Sequence, residues 1–251
     1  MPSARGFFES SASDRLMDPA CYPQEIRTFL HQEQRILDAL EDSVDLLIEV
    51  GCMNGRYLDW AVDKAKQYIG VDMILRHVQA GQRMVAQRGL AAETHRFILG
   101  DAEEIAQVIN SAQVHSQRER CLIFFPFNIL GAVSNIERVI DGLRQSELPF
   151  LSSSYQTTNY ATACRYEYYR RCGGRDIRVV NDETGISFLT SDGLCTIAYQ
   201  PEYLLNVCRA HDLPITAISW SDLNQAYVSE TTLANILKSG FVFAAKARLL
   251  V

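Results

Sequence analysis

The stretch Leu46-Leu47-Ile48-Glu49-Val50-Gly51-Cys52-Met53-Asn54-Gly55-Arg56 decides how the chain is read. The run from Val44 to Val50 is too short for a helix and is bounded by glycine, so it reads as a buried parallel strand. Gly51 opens a turn, and residues 55–66 look helical. A glycine there lets the backbone turn tightly and approach a ligand closely. A second short strand, 68–72, ends in Asp72 about 20 residues further on, where a nucleotide-binding fold places its ribose acceptor. A third, 97–101, ends in Gly100-Asp101. Glu49, Asp72 and Asp101 thus fall at the carboxyl ends of three successive strands, the edge at which open α/β sheets bind ligands.

The alternation extends outward. Ile26, Phe29, Leu30, Ile36, Leu37 and Leu40 share one face of a helix over 23–43. Helices follow the second strand to about Arg88 and the third from Ala102 to about Gln117. A fourth strand covers 121–125, a helix 134–145, and a fifth strand begins at 149. This order predicts a mostly parallel sheet with helices on both faces. After Tyr155 the character changes. Residues 160–171 are rich in Tyr and Arg. Strand-like runs at 177–180, 186–189 and 194–199, with turns at 181–185 and 191–193, predict a small antiparallel insertion. A helix over 201–211 and two late strands, 214–220 and 241–249, close the chain. One domain therefore spans 1–251, with a loose arm or lid (1–20) and first helix within 1–43 and an insertion over 156–200.

Composition excludes several classes. The 251 residues carry 24 Lys+Arg against 30 Asp+Glu, a formal charge of -6. That balance opposes a general phosphate-backbone binder, so no nucleic-acid partner is expected. No apolar run reaches the roughly 20 residues of a membrane span, and the N-terminus leads into no signal core, so the expected location is cytoplasmic. The seven cysteines form no C-x-x-C pair, and the five histidines show no ligand spacing; no disulfide framework or metal site is expected. None of His31, His77, His95, His115 and His211 neighbours an acid in sequence as a recognisable dyad.

A dinucleotide site wants G-x-G-x-x-G to hold pyrophosphate. Here the turn is Gly51-x-x-x-Gly55 with Glu49 two residues ahead, which suits a cationic ligand better than an anionic one. In these residues the chain resembles the class I S-adenosylmethionine-dependent methyltransferases, whose first motif is matched by Glu49, Gly51 and Gly55. Met53 stands where that motif has its middle glycine. The resemblance covers about 22–155 and the final strand pair. It implies a Rossmann-like α/β fold with a seven-stranded, mostly parallel sheet and an antiparallel last strand. It also implies S-adenosylmethionine as cofactor, Asp72 on the ribose and Asp101 with Ala102 beside the adenine. The implied cofactor shell is Tyr22, Glu49, Gly51, Cys52, Met53, Gly55, Asp72, Met73, Asp101, Ala102 and Phe125. For Cys52, small-residue packing is preferred to a nucleophilic role.

The end of the fourth strand, Phe124-Phe125-Pro126-Phe127-Asn128, would face the transferred group. Asn128 reads as a pocket residue or as a helix cap. The segment is not the N/D-P-P-Y motif of adenine and amide methylases. Tyr160, Tyr166, Tyr168 and Tyr169, interleaved with Arg165, Arg170 and Arg171, read either as a lid or as an amphipathic helix with Tyr buried and Arg in water. Asn128, Tyr166 and Tyr169 are the candidate catalytic residues. The expected function is methyl transfer from S-adenosylmethionine to a small molecule in biosynthesis. The alternatives are an intramolecular cyclase that releases methylthioadenosine, of the azetidine-2-carboxylate-forming kind, and a non-catalytic cofactor-binding scaffold. The acceptor and the oligomeric state are not legible.

Overall fold

The computed structural model describes residues 5–114, 120–241 and 248–250. Ahead of the first strand lie α1 (Arg5–Glu9), short 3-10 turns, and α2 (Gln24–Ala39). The decisive stretch forms β1 (Leu46–Val50), whose five residues are all buried, as a central parallel strand requires. Then follow α3 (Leu58–Asp63), β2 (Gln67–Asp72), α4 (Leu75–Gln87), β3 (His95–Leu99), α5 (Ile105–Ser111), β4 (Cys121–Phe125), α6 (Ile136–Ser146) and β5 (Phe150–Tyr155). The second half holds α7 (Asn159–Arg171), β6 (Arg178–Asn181), β7 (Gly185–Leu189), β8 (Cys195–Tyr199), α8 (Pro201–Ala210), β9 (Ile215–Ser219), β10 (Asn224–Ser229), α9 (Glu230–Lys238) and β11 (Arg248–Leu250).

The main sheet has the order β11-β9-β10-β5-β4-β1-β2-β3. β1 to β5 pair in parallel, and β10 runs antiparallel between β5 and β9. These seven strands are the expected mostly parallel sheet, and β11 adds an eighth at the edge. The antiparallel strand is Asn224–Ser229, a segment read as no strand at all. It has no simple apolar alternation because polar residues occupy its buried positions. Gln225 is buried yet donates to the Tyr155 carbonyl (3.0 Å), the Tyr199 carbonyl (3.2 Å) and the Tyr227 hydroxyl (3.0 Å). Of the late strand expected over 241–249, residues 242–247 lie outside the described residues, as do His115 and the end of the helix expected to reach Gln117.

Side-chain alternation divides the core between the two faces of the sheet. Leu46, Ile48, Val50, Ile123 and Phe125 join α5, α6 and α8 on one face. Leu47, Leu122 and Phe124 join α2, α3, α4 and α9 on the other. A third cluster packs the arm, the start of α2, α7 and strands β7 and β8 of the three-stranded sheet β6-β7-β8 together, while β6 lies exposed at its edge. The described part of the arm is folded: Ser10 and Asp18 cap its 3-10 turns, and Phe7 is buried. No helix among the described residues is long and apolar enough to cross a membrane.

Candidate active site

A cavity of about 260 Å³ opens along the carboxyl edge of the parallel strands. Its floor is supplied by Val50, Gly51 and Met53 after β1, Asp72, Met73 and Ile74 after β2, Gly100, Asp101 and Ala102 after β3, and Phe127 and Asn128 after β4. Its roof is Arg5, Phe8, Leu16 and Met17 of the arm, Tyr168 and Tyr169 of α7, and Leu194 and Thr196 of the insertion.

Asp72 is buried and held rigidly. One carboxylate oxygen accepts from the Met53 amide at 2.7 Å, the other from the Ile74 amide at 2.9 Å. Oδ2 retains a lone pair for a ligand hydroxyl, and Oδ1 shares its second with His77 Nδ1 at 3.4 Å. Gly51 has φ 69°, and a Cβ there would lie 2.4 Å from Ile129, so the turn requires glycine twice over. Met53, at the usual glycine position, keeps a left-handed backbone with φ 50°. That conformation costs a non-glycine residue about 1 kcal/mol, and the Met53–Asp72 hydrogen bond holds it in place. Asp101 caps the turn after β3, accepting from the Glu103 amide at 2.9 Å while still lining the cavity.

Several expected site residues sit elsewhere. Glu49 follows the alternation of β1 onto the α3 face and does not line the cavity. Its Oε2 accepts from the Tyr68 hydroxyl at 2.6 Å and the Tyr57 amide at 3.0 Å, and its Oε1 has no hydrogen-bond partner among the described residues. Burial pushes this carboxyl up to about 7. Its role is to brace the turn from beneath. Cys52 is buried against Gly70, its thiol pushed well up by burial, which fits packing and not a nucleophile. Gly55 faces the Phe97 ring, where a Cβ would lie 2.8 Å away. Phe125 points into the core with Ile123, and Phe127, two residues on with φ 49°, takes the cavity wall instead.

Tyr22 is buried behind the roof, donating to the Leu16 carbonyl at 3.0 Å and touching the Tyr168 ring edge-on. On α7, Ala161, Cys164, Arg165, Tyr168, Tyr169 and Cys172 share the inner face, so Tyr166 is turned outward and is 44% exposed. Arg165 is not in water. It is buried, stacked on Phe188 (4.4 Å) and Tyr155 (4.9 Å), and donates to the Ile186 carbonyl at 2.9 Å. Asn128 lines the cavity and stands at the N-cap position of the 3-10 turn Ile129–Ala132, where its carbonyl accepts from the Gly131 amide but its side chain makes no capping bond. Its Nδ2 donates to Thr196 Oγ1 (3.1 Å) and the Ile197 carbonyl (2.9 Å), and its Oδ1 accepts from the Ser154 hydroxyl (2.6 Å). It ties the insertion to the end of β4, and its side chain is committed to that bond set.

The sequence reading missed other residues. His77 lies on α4 with Nδ1 3.4 Å from Asp72 Oδ1 and a buried Nε2 that has no hydrogen-bond partner among the described residues and faces Asp14 at 4.0 Å. Its five-residue offset from Asp72 places the pair across a strand-to-helix turn, a relation no helical spacing reveals. His211 likewise contacts Asp141 at 2.8 Å, far along the chain and away from the cavity lining. Arg76 fastens the arm, donating to Asp14 Oδ1 (2.6 Å), the Ser10 carbonyl (2.7 Å), Ser13 Oγ (2.9 Å) and the Phe8 carbonyl (3.1 Å). Glu33 of α2 is buried beneath the cavity. It accepts from the Phe127 amide (2.5 Å) and the Tyr57 hydroxyl (2.6 Å), and burial raises its pKa.

No protein-family model and no curated protein matches the sequence. Solved structures do match. A protein of Pyrococcus horikoshii, PH0226, aligns with a TM-score of 0.56 at 14% identity over 83% of this chain and 92% of its own. An S-adenosylmethionine-dependent methyltransferase of Aquifex aeolicus gives 0.54 at 11% identity over 88% and 98%. Another from Clostridium acetobutylicum gives 0.51 at 12% identity over 82% and 91%. The likeness is one of fold, and the chain has the fold of the class I S-adenosylmethionine-dependent methyltransferases.

Proposed function

We propose that the protein is an S-adenosylmethionine-dependent methyltransferase acting on a small molecule. The observation that carries the reading is the Asp72 carboxylate, fixed by two backbone amides at the end of β2 and facing a roofed cavity. The donor set fits the cofactor. Asp72 presents its carboxylate, with a free lone pair on Oδ2, to the hydroxyls of a ribose, and Gly51 admits close approach of a ligand chain. Met73, Ile74, Ala102 and Val133 offer apolar walls to a flat base. Phe127, Tyr168 and Tyr169 place aromatic rings where a sulfonium would sit, and ring faces attract cations. Met53 and Asp101 complete the floor.

S-adenosylmethionine, when bound, supplies a methyl group already activated on a positively charged sulfur. The chain's own task is then to hold two partners in line and keep water out. Glu33 and Asn128 fix the β4 end from two sides, so that Phe127 keeps its left-handed backbone and faces the cavity. The arm and α7 close the top. The cavity volume, about 260 Å³, suits a small acceptor.

Product analysis tests the reading. The purified protein is incubated with S-adenosylmethionine and pooled small metabolites, and the adenosyl products are separated. S-adenosylhomocysteine together with a methylated compound is the expected result. Methylthioadenosine without a methylated acceptor would replace methyl transfer by displacement within the cofactor. Binding without turnover would make the protein a scaffold.

A further inference from the structure

We propose that strand β6 is a docking edge for a second copy of this chain, which pairs with it antiparallel across a two-fold axis at Val180.

β6 is the outer strand in the order β6-β7-β8, and each of its residues is exposed. Val179 is 41% and Val180 45% exposed, two apolar side chains side by side on one strand. The hairpin fixes which backbone groups point outward. Asp182 and Gly185 bond to each other through both amides, so along β6 and β7 the bonded pairs are Val180 with Ser187 and Arg178 with Leu189. The amides and carbonyls of Val179 and Asn181 therefore point away from β7, and no strand of the described residues lies beyond them. The opposite edge of the same sheet is covered. On β8 the Ile197 carbonyl accepts from Asn128 Nδ2, and the Tyr199 carbonyl accepts from Gln225 Nε2 and the Tyr227 hydroxyl. A free edge is commonly blunted by proline, lysine or a bulge. β6 has no proline or lysine, and its register with β7 runs unbroken.

Charge selects both the occupant and its register. An antiparallel neighbour bonds only through residues whose backbone groups point outward. Val179 on the partner's Val179 sets Arg178 against Val180. Asn181 on the partner's Asn181 sets Arg178 against Thr184, and Ile177 on the partner's Val179 sets Arg178 against Arg178. Val179 on the partner's Asn181 sets Arg178 against Asp182 on each side of the axis, with Val180 against Val180 at the centre. These are the non-bonded pairs of such a ladder, where side chains stand closest and opposite charges attract. Arg178 and Asp182, two residues to either side of Val180, thus make the edge complementary to itself. Asp182 Oδ1 accepts from the Thr184 hydroxyl at 2.6 Å and the Thr184 amide at 2.9 Å, which leaves Oδ2 for the guanidinium. A single strand pair is small beside the interface of a permanent dimer, so association should be weak and rise with concentration.

Sedimentation velocity on the full chain over a concentration series, with thiol cross-linking, tests the proposal. Wild type should move from monomer toward dimer as concentration rises. Arg178→Glu sets acids opposite each other on both sides of the axis and should weaken dimerisation by roughly tenfold or more, with unchanged circular dichroism. Asp182→Asn keeps the acceptor for Thr184 and should weaken it less. Val180→Cys should give a covalent dimer with diamide, which takes up the two thiol hydrogens as the sulfurs join. Val179→Cys, set against the partner's Asn181, should cross-link far less. Three results overturn the proposal: a wild type that stays monomeric throughout, which leaves the edge to a different protein, a dimer indifferent to Arg178→Glu, or equal cross-linking of the two cysteine variants.

Discussion

The floor and the roof of the cavity are built on different physical terms. The floor comes from strand ends: a glycine turn after β1, Asp72 after β2 and Asp101 after β3, each placed by backbone geometry within a short stretch of chain. The roof comes from contacts between residues far apart in sequence. Arg76 reaches the arm more than sixty positions away, and Tyr168 donates to the Leu16 carbonyl at 2.7 Å across 152 positions. A floor of this kind tolerates little change in backbone. The roof, held by these hydrogen bonds together with the third apolar cluster, is assembled from separate elements and is the part expected to open for a ligand.

The contrast predicts the largest effects in the floor. Glu49 is a buried carboxyl whose folded pKa, about 7, exceeds its ordinary value of 4.5. A raised acid costs nothing below the unfolded pKa, and its penalty grows as pH rises from about 4.5 to about 7. It then stays constant, near 3 kcal/mol for a shift of that size. Glu49→Gln should flatten the fall in stability over that window, and urea titrations at pH 5 and pH 8 measure it. Equal pH slopes in wild type and variant would mean that the carboxyl is ionised without penalty in the fold.

Gly51→Ala should come next. It forces a side chain onto a φ of 69° and into the Ile129 side chain, which predicts a loss on the order of 2 kcal/mol along with loss of ligand binding. An unchanged unfolding midpoint would show that the turn relaxes and that the floor is softer than described. Arg76→Ala should leave global stability nearly untouched and act on the roof alone. Trypsin cleavage after Arg15 should accelerate several-fold, and equal cleavage rates would mean that other contacts hold the arm. The smallest effect belongs to Tyr166→Phe, on the outer face of α7, which should change neither stability nor ligand affinity, whereas Tyr168→Phe loses the bond to Leu16. A turnover defect confined to Tyr166→Phe would reverse the orientation assigned to that helix.

The same division explains what the sequence made legible. The Leu46–Gly51 run, the acids at 72 and 101 and the alternation through residue 155 are local patterns with local causes, and they place the sheet and the cavity floor. β10 escaped because Asn224 and Gln225 are polar yet buried, Asn224 against its neighbour Ser221 and Gln225 through hydrogen bonds to carbonyls distant in the chain. Glu49 and Phe125 were on the right strands, but strand alternation turns their side chains off the cavity, a distinction that residue identity does not carry. Tyr166 was separated from Tyr168 and Tyr169 by helix phase, which depends on where α7 begins. The arm read as loose because Arg76, its main tether, lies in another element. Arg165 defied the expectation that arginine faces water, since three aromatic rings and two backbone carbonyls replace its solvent.

The central claim is that the Asp72 carboxylate holds the ribose of an adenosyl cofactor in this cavity. Titration of S-adenosylhomocysteine into wild type and Asp72→Ala by calorimetry tests it most directly. Hydrogen bonds from ribose hydroxyls to a charged acceptor are worth roughly 1.5–3 kcal/mol. The account therefore predicts one site per chain in wild type and at least tenfold weaker binding in the variant, with circular dichroism showing both proteins folded. Unchanged affinity in a folded Asp72→Ala protein, or tighter binding of NAD than of S-adenosylhomocysteine by wild type, would contradict it.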